Sequence, residues 1–413
     1  MVVVWTLTRM AMLRIFTSPH ENYITGDVNY YRWWLTASHL PDSRVLLEYP
    51  VPVLWGLRSL VWFSGGPQGS YFVVLFAVTM LGLDALMTLA LWQAGHRRGA
   101  WWWVFFVPAL GPLMWFRFDM VPAVCMGLAC LWFRRHPAAS GTAVALGAAV
   151  KLWPALLIAP MVGRRPAALR RVVAFGVTGL GLALASWVVA GWDRLTSPLT
   201  WQSDRGLQVE AISATWPMGR HVLDPSSGYR VAMSRYNAYE VTGPSVGAWQ
   251  GFSSLLMVLS VALAVGLGIL AWRRNGLDQR SAVLAAATIV GALIVANKTL
   301  SPQYFVWWGA TVAVMVDPFS GERRTPLARG ELRATTRLQR HAWTAAGLLL
   351  ATAILTQCLY PISYGRLVLD NPSDWAFGLL LARNLCAVAT LVTCALALRA
   401  SLTLARTPLA TSV

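Results

Sequence analysis

Tyr23-Ile24-Thr25-Gly26-Asp27-Val28-Asn29-Tyr30-Tyr31 is the first polar stretch of the chain, and it follows an apolar opening, Met1 to Phe16, whose only charged side chains are Arg9 and Arg14. An acid behind a glycine and ahead of two aromatic pairs, Tyr30-Tyr31 and Trp33-Trp34, stands where a first membrane span would surface. No A-x-A-like cleavage site follows the opening, so it is expected to remain as a span. If the opening crosses once, every later apolar run has an assigned direction, and that threading decides the fold.

Composition agrees with it. With 56% hydrophobic residues, 12% charged residues and a mean hydropathy of +0.53 over 413 residues, the chain is too apolar for a soluble core. The net charge of +17 would suggest nucleic acid in a soluble protein. Here the excess sits in short segments between apolar runs: His96-Arg97-Arg98, Arg134-Arg135-His136, Arg164-Arg165 with Arg170-Arg171, Arg273-Arg274, and Arg323 to Arg340. That is a positive-inside pattern, and no nucleic-acid partner is expected. Cys125, Cys130, Cys358, Cys386 and Cys394 lie in apolar runs without CxxC spacing and are expected to be small core residues. Lysine occurs only at Lys151 and Lys298, both within apolar stretches, and intramembrane cations are functional candidates by default.

Threaded in order, an outside loop at about 17–70 contains Glu48 and an interfacial helix near Tyr49-Pro50-Val51-Pro52, followed by a span at about 71–94. Trp101 to Trp115 runs out, Arg117-Phe118-Asp119 caps it, and Met120 to Phe133 returns. Ala138 to Val162 is about one span long yet basic at both ends, so a hairpin of two short helices is expected, with Lys151-Leu152-Trp153-Pro154 at its apex. Val172 to Ala190 leads into an outside loop at about 191–248, expected to hold short helices. Spans at about 249–272, 281–297 and 304–317 follow, the last two joined outside by 297–304. The Arg-rich loop at about 318–340 and the tail are expected in the cytoplasm, with a final helical hairpin within 341–413. The expected fold is an all-α polytopic membrane protein of about twelve transmembrane or half-membrane helices, both termini cytoplasmic, with 1–317 as its catalytic module.

Asp27, Glu48, Asp119, Lys151, Arg205, Glu210, Lys298 and Gln303 all fall on the outside in this threading. The inner side offers bulk arginine and no phosphate-binding glycine loop. A carboxylate, several cations and many aromatic rings at one membrane face suit glycosyl transfer from a lipid-phosphate sugar. The carboxylate takes the proton of an acceptor hydroxyl, cations hold the departing phosphate, and Tyr and Trp rings carry sugar rings and the lipid.

Gly26-Asp27, Arg117-Phe118-Asp119, Lys151-Leu152-Trp153-Pro154, Asp204-Arg205-Gly206-Leu207-Gln208-Val209-Glu210 and Asn297-Lys298-Thr299-Leu300-Ser301-Pro302-Gln303-Tyr304, in that order, resemble actinobacterial members of glycosyltransferase family 87 over about residues 20–310. The resemblance implies a GT-C fold in the plasma membrane and inverting transfer of a sugar, mannose first and arabinofuranose as the rival, from a polyprenyl phosphate to a glycolipid or cell-envelope glycan at the outer face. An α-mannosyltransferase is the specific expectation. It also implies that Asp27 is the general base. Lys298, Lys151, Arg205 and Arg117 are then the expected phosphate ligands, and Tyr30, Tyr31, Trp33, Gln208, Glu210, Gln303 and Tyr304 the sugar or acceptor contacts. No cofactor or protein metal site is expected beyond the polyprenyl-phosphate sugar as donor substrate, a need for a divalent metal staying open. The chain departs from the mannosyltransferase pattern after Asp27 and around Glu48-Tyr49-Pro50-Val51-Pro52, which leaves sugar and acceptor open.

Each of these residues also has a plainer role. Asp27 and Asp119 suit helix N-caps. Glu48 suits a solvated loop acid and is also the rival base. Lys151 and Lys298 suit snorkelling cations, and Arg205 a partner of Asp204 or Glu210. Gln303 and Tyr304 suit the satisfaction of a helix end. Trp101-Trp102-Trp103 is expected as an interfacial anchor. A lipid transporter or flippase is the rival of another class, and it calls for repeat symmetry and charges through both leaflets, neither of which the sequence displays.

Overall fold

A backbone surrounded by hydrocarbon must satisfy its own polar groups, and apolar runs of this length do so as helices. The computed structural model describes residues 1–17, 22–37, 40–41, 44–67, 69–317, 329–369 and 372–404. It is an all-α polytopic membrane protein, 77% helical. The order is α1 (Val2–Phe16), α2 (Gly26–Thr36), α3 (Val51–Phe63), α4 (Phe72–Gln93), α5 (Arg97–Leu110), α6 (Met120–Trp132), α7 (Pro137–Val150), α8 (Pro166–Ala190), α9 (Trp192–Ser203), β1 (Leu207–Gln208), α10 (Thr215–Leu223), β2 (Arg230–Met233), β3 (Tyr239–Thr242), α11 (Val246–Arg273), α12 (Gln279–Ala296), α13 (Phe305–Met315), α14 (Arg329–Gln357), α15 (Gly365–Val368) and α16 (Asp374–Leu404). Among the described residues, six segments are long and apolar enough to cross a membrane: α4, α8, α11, α12, the Ala334–Ile362 stretch and α16.

The bundle centres on α12 and α13, which are buried nearly throughout. Small residues along α12, Ala285-Ala286-Ala287 among them, let neighbouring helices approach closely. Gly99 shows how tight the packing is. A Cβ there would stand 1.9 Å from the Ala313 carbonyl oxygen, and the Gly99 amide donates to Asp317 Oδ2 at 2.7 Å, so the end of α13 caps the start of α5. Gly99→Ala is expected to cost about 1–3 kcal/mol by overpacking, read as a lower thermal midpoint of the purified protein.

The Ala138–Val162 segment is the expected hairpin: α7 ends at Val150, Lys151 is extended, and a 3₁₀ helix over Trp153–Met161 returns. Arg171 on α8 donates to Phe133 O at 2.7 Å and to Met161 O at 3.2 Å, so both feet of the hairpin stand at one end of the bundle. The conflict of two basic flanks on one span's length is thereby resolved.

Other expectations change. The 191–248 loop contains helices and also a three-stranded antiparallel sheet in the order β1-β3-β2. Its strands are too short to produce an alternation signal. The helix expected over Trp101 to Trp115 starts at Arg97 and stops at Leu110 before a 3₁₀ turn. Of the Arg-rich loop, 318–328 lies outside the described residues and the remainder is already helical from Arg329. Trp102 and Trp103 are core residues, not interfacial anchors. Trp103 Nε1 donates to Asp84 at 2.9 Å, and Arg9 donates to both oxygens of the same carboxylate at 2.8 and 2.6 Å. Asp84 is therefore a buried acid inside a span, so the unusual polar groups do not all gather at one face.

Candidate active site

Helix directions bring the carboxyl ends of α8 and α12 and the amino ends of α11 and α13 to one end of the bundle, where a cavity of about 950 Å³ opens. The cavity is walled by α2, the turn after Glu48, the 117–119 turn, the hairpin apex, the 198–208 and 233–239 segments, 297–307 and 360–369. Asp27, Tyr30, Tyr31, Glu48, Arg117, Asp119, Lys151, Arg205, Gln208, Glu210, Gln303 and Tyr304 all line it. Lys298 and Trp33, both expected at the site, do not.

Asp27 is no cap. Thr25 holds the N-cap position of α2 without a side-chain cap bond, and Asp27 lies in the first turn. Its Oδ2 stands 3.1 Å from Arg117 Nε, at an angle that makes an ion pair and not a hydrogen bond to that nitrogen. Arg117 is held in place through Nη1, which donates to Ile24 O at 3.1 Å and to Phe116 O at 3.0 Å. The Asp27 side chain keeps 35% of its surface exposed, so it faces the cavity with one cation behind it.

Asp119 occupies the N-cap position of α6 but makes no cap bond. Its Oδ1 accepts from Lys151 Nζ and from Trp307 Nε1, each at 2.7 Å. Lys151 is also ringed by Phe118, Tyr304 and Trp307 at 5.4, 4.6 and 4.9 Å from the ring centres. The snorkelling alternative therefore fails for Lys151, because the hairpin apex points it into the bundle. Trp307 is stacked between Tyr304 at 4.0 Å and Trp153 at 4.9 Å, which fixes the pair laterally. Tyr304 is thus a cage wall beyond any role at the helix end.

Glu48 belongs to the cavity and not to bulk solvent. Tyr30 Oη donates to Glu48 Oε1 at 2.9 Å, and burial pushes the Glu48 carboxyl above its ordinary range. Burial and then the Glu48 charge hold the Tyr30 phenol well above its usual value, so it stays a donor. A carboxyl raised in the folded state binds more protons there than in the unfolded chain. Its contribution to stability falls as pH rises from the ordinary 4.5 through the folded value. Glu48→Gln removes that fall, so the variant's thermal midpoint relative to wild type is expected to be higher at pH 8 than at pH 4.

Arg205 has lost both acids proposed as its partners: Asp204 pairs with Arg235 at 3.8 Å, and Glu210 pairs with Arg383 at 3.1 Å. With the Gln208 amide oriented by its neighbours, its nitrogen donates to Leu300 O at 3.0 Å and Thr299 O at 2.8 Å, and its oxygen accepts from Arg205 Nη2 at 2.9 Å. Gln208 therefore clamps the 297–301 loop and aims Arg205, whose guanidinium also lies 5.6 Å over Tyr236. Lys298 serves that clamp through its backbone, its carbonyl accepting from the Gln208 backbone N–H at 3.0 Å. Glu210 is a strut: it is 4% exposed, and its partner Arg383 comes from α16. Asn384 beside it donates to Thr215 Oγ1 at 2.7 Å, so α16 tethers the cavity loop.

Arg383, Tyr360 and Tyr364 are the residues that sequence reasoning passed over. Arg383 carried a signal, a lone cation inside an apolar run. The tyrosines had none, being aromatic residues near a span end like many others. Among the described residues, no three of His, Cys, Asp and Glu come together to hold a metal ion. The geometry offers two partly open acids, Asp27 and Glu48, the second accepting from Tyr30, with Arg117, Lys151 and Arg205 on the walls of the same cavity of about 950 Å³.

No curated protein and no solved structure matches the chain. The family model described as glycosyltransferase family 87 matches residues 47–302, a stretch with Glu48, Arg117, Asp119, Lys151, Arg205, Gln208 and Glu210 inside it and Asp27, Tyr304, Tyr360 and Tyr364 outside. The chain belongs to glycosyltransferase family 87 and is a membrane glycosyltransferase.

Proposed function

We propose that this enzyme transfers mannose, with inversion, from a polyprenyl phosphate to a hydroxyl of a glycolipid or cell-envelope glycan, making an α-mannoside on a GT-C-type scaffold. The observation that carries the reading is the convergence of Asp27 with Arg117, Lys151 and Arg205 on one cavity at the ends of apolar helices. Asp27 accepts the acceptor's proton as its oxygen bonds to the anomeric carbon. The bond from that carbon to the phosphate oxygen breaks, and the phosphate leaves with the electron pair beside Arg205 and Lys151. Gln208 and Trp307 position those two cations. The arginine-rich turns lie at the bundle end opposite the cavity, which supports an extracytoplasmic active site in the plasma membrane with cytoplasmic termini.

The test is transfer in membranes supplied with radiolabelled polyprenyl-phosphate mannose or polyprenyl-phosphate arabinofuranose, products being read by mass. Consumption of the mannose donor supports the reading. Use of the arabinofuranose donor alone replaces the sugar, and use of neither overturns the donor assignment.

A further inference from the structure

The cavity wall contributed by the segment between α14 and α16 lies outside the stretch matched by the family, 47–302, and no role has yet been assigned to it. The helical path breaks at Tyr360, which has φ −123° and ψ 117°, and the segment then turns through Tyr364. Tyr360 and Tyr364 meet edge to face at 4.9 Å, and Tyr364 meets Tyr239 of β3 at 5.9 Å in the same way. Three tyrosines from two distant parts of the chain thus make one continuous aromatic wall, and all three line the cavity.

The ends of this wall matter. Tyr360 lines the same cavity as Arg117, the residue that holds Asp27, and Tyr364 the same cavity as Glu210, which Arg383 anchors to α16. All three residues are only partly buried and line the cavity, which leaves part of each side chain to it. A wall of rings with hydroxyl tips suits a carbohydrate, whose C–H face stacks on the ring while its hydroxyls exchange hydrogen bonds with phenols. A phosphate would instead want the cations that lie at Arg205 and Lys151.

From these placements we infer that Tyr360 and Tyr364 form the subsite for the sugar ring of a carbohydrate acceptor, holding the ring against Asp27. The inference rests on the transfer reading for its direction, because Asp27 as base must touch the acceptor. Tyr364 and Tyr360 are both ring contacts, on the cavity that the Arg117–Asp27 pair also lines.

The test is binding of octyl α-D-mannopyranoside to the purified full-length protein in lipid nanodiscs, with 1-octanol as the chain-only control. Wild type is expected to bind the glycoside saturably and octanol not at all. Tyr360→Ala and Tyr364→Ala are expected to weaken glycoside binding at least tenfold at unchanged thermal midpoint, with Tyr360→Phe, which keeps the ring and loses the hydroxyl, between wild type and Tyr360→Ala. Should Tyr360→Ala not fold, Tyr364→Leu decides the question alone. Equal binding by wild type and the tyrosine variants overturns the proposal, as does the lack of saturable binding in wild type. Asp27→Asn is expected to keep glycoside binding while losing transfer, so failure of the subsite and failure of the transfer reading give different results.

Discussion

Asp27→Asn is expected to reduce transfer from a labelled polyprenyl-phosphate sugar by about 10²–10⁴-fold, the range typical for removal of a general base. The exchange preserves shape and leaves an oxygen for Arg117 at the 3.1 Å position, so the thermal midpoint is expected to stay at the wild-type value. Parallel Glu48→Gln membranes serve as the comparison, since Glu48 faces the same cavity and its raised carboxyl makes it the rival acid. The expected order is an inactive Asp27→Asn and an active Glu48→Gln. The reverse order would transfer the role to Glu48. The choice rests on accessibility and partners: Asp27 is open to the cavity with a cation behind it, whereas Asp119 spends Oδ1 on Lys151 and Trp307 and is 2% exposed.

Arg383→Leu is expected to carry the largest stability penalty, on the order of 3–5 kcal/mol, because it leaves the Glu210 carboxylate buried without its cation. Arg383 is fully buried. It donates to a Glu210 carboxylate oxygen at 3.1 Å, to the Glu210 carbonyl oxygen, and to Asn384 Oδ1 at 3.0 Å. The measurement is the thermal midpoint and the folded yield in detergent. Replacing both partners, as in Arg383→Leu with Glu210→Leu, is expected to recover most of the loss, since neither charge is then stranded. A single variant as stable as wild type would show that the pair is not the tether between α16 and the cavity loop.

The helical class and the paired helices of 138–162 were legible because both follow from quantities local to the chain. Apolar run length sets a span, and basic flanks at both ends forbid an odd number of crossings. Much of the candidate site was legible for a related reason: Asp27, Arg117, Asp119, Lys151 and Arg205 are charges where apolar sequence makes charge expensive. Lys298 does not line the cavity, its backbone serving the Gln208 clamp, and Trp102 and Trp103, expected as interfacial anchors, are core because their neighbours are α14 and Asp84. Asp84 and Arg383 were not legible in the same way, because each is a single charge inside a long apolar helix and its partner lies on another helix or loop.

What the sequence by itself determined is membrane residence, the helical threading and a short list of charges worth explaining, since the cost of taking backbone and charge out of water depends on residue type and run length alone. The tertiary structure alone decided the pairing. Asp27 goes to Arg117, Asp119 to Lys151 and Glu210 to Arg383, and Arg205 is left to the cavity. Partners 90, 32 and 173 positions apart can be chosen only by packing, because Coulomb attraction and hydrogen bonding act over a few ångströms of space whatever the distance along the chain.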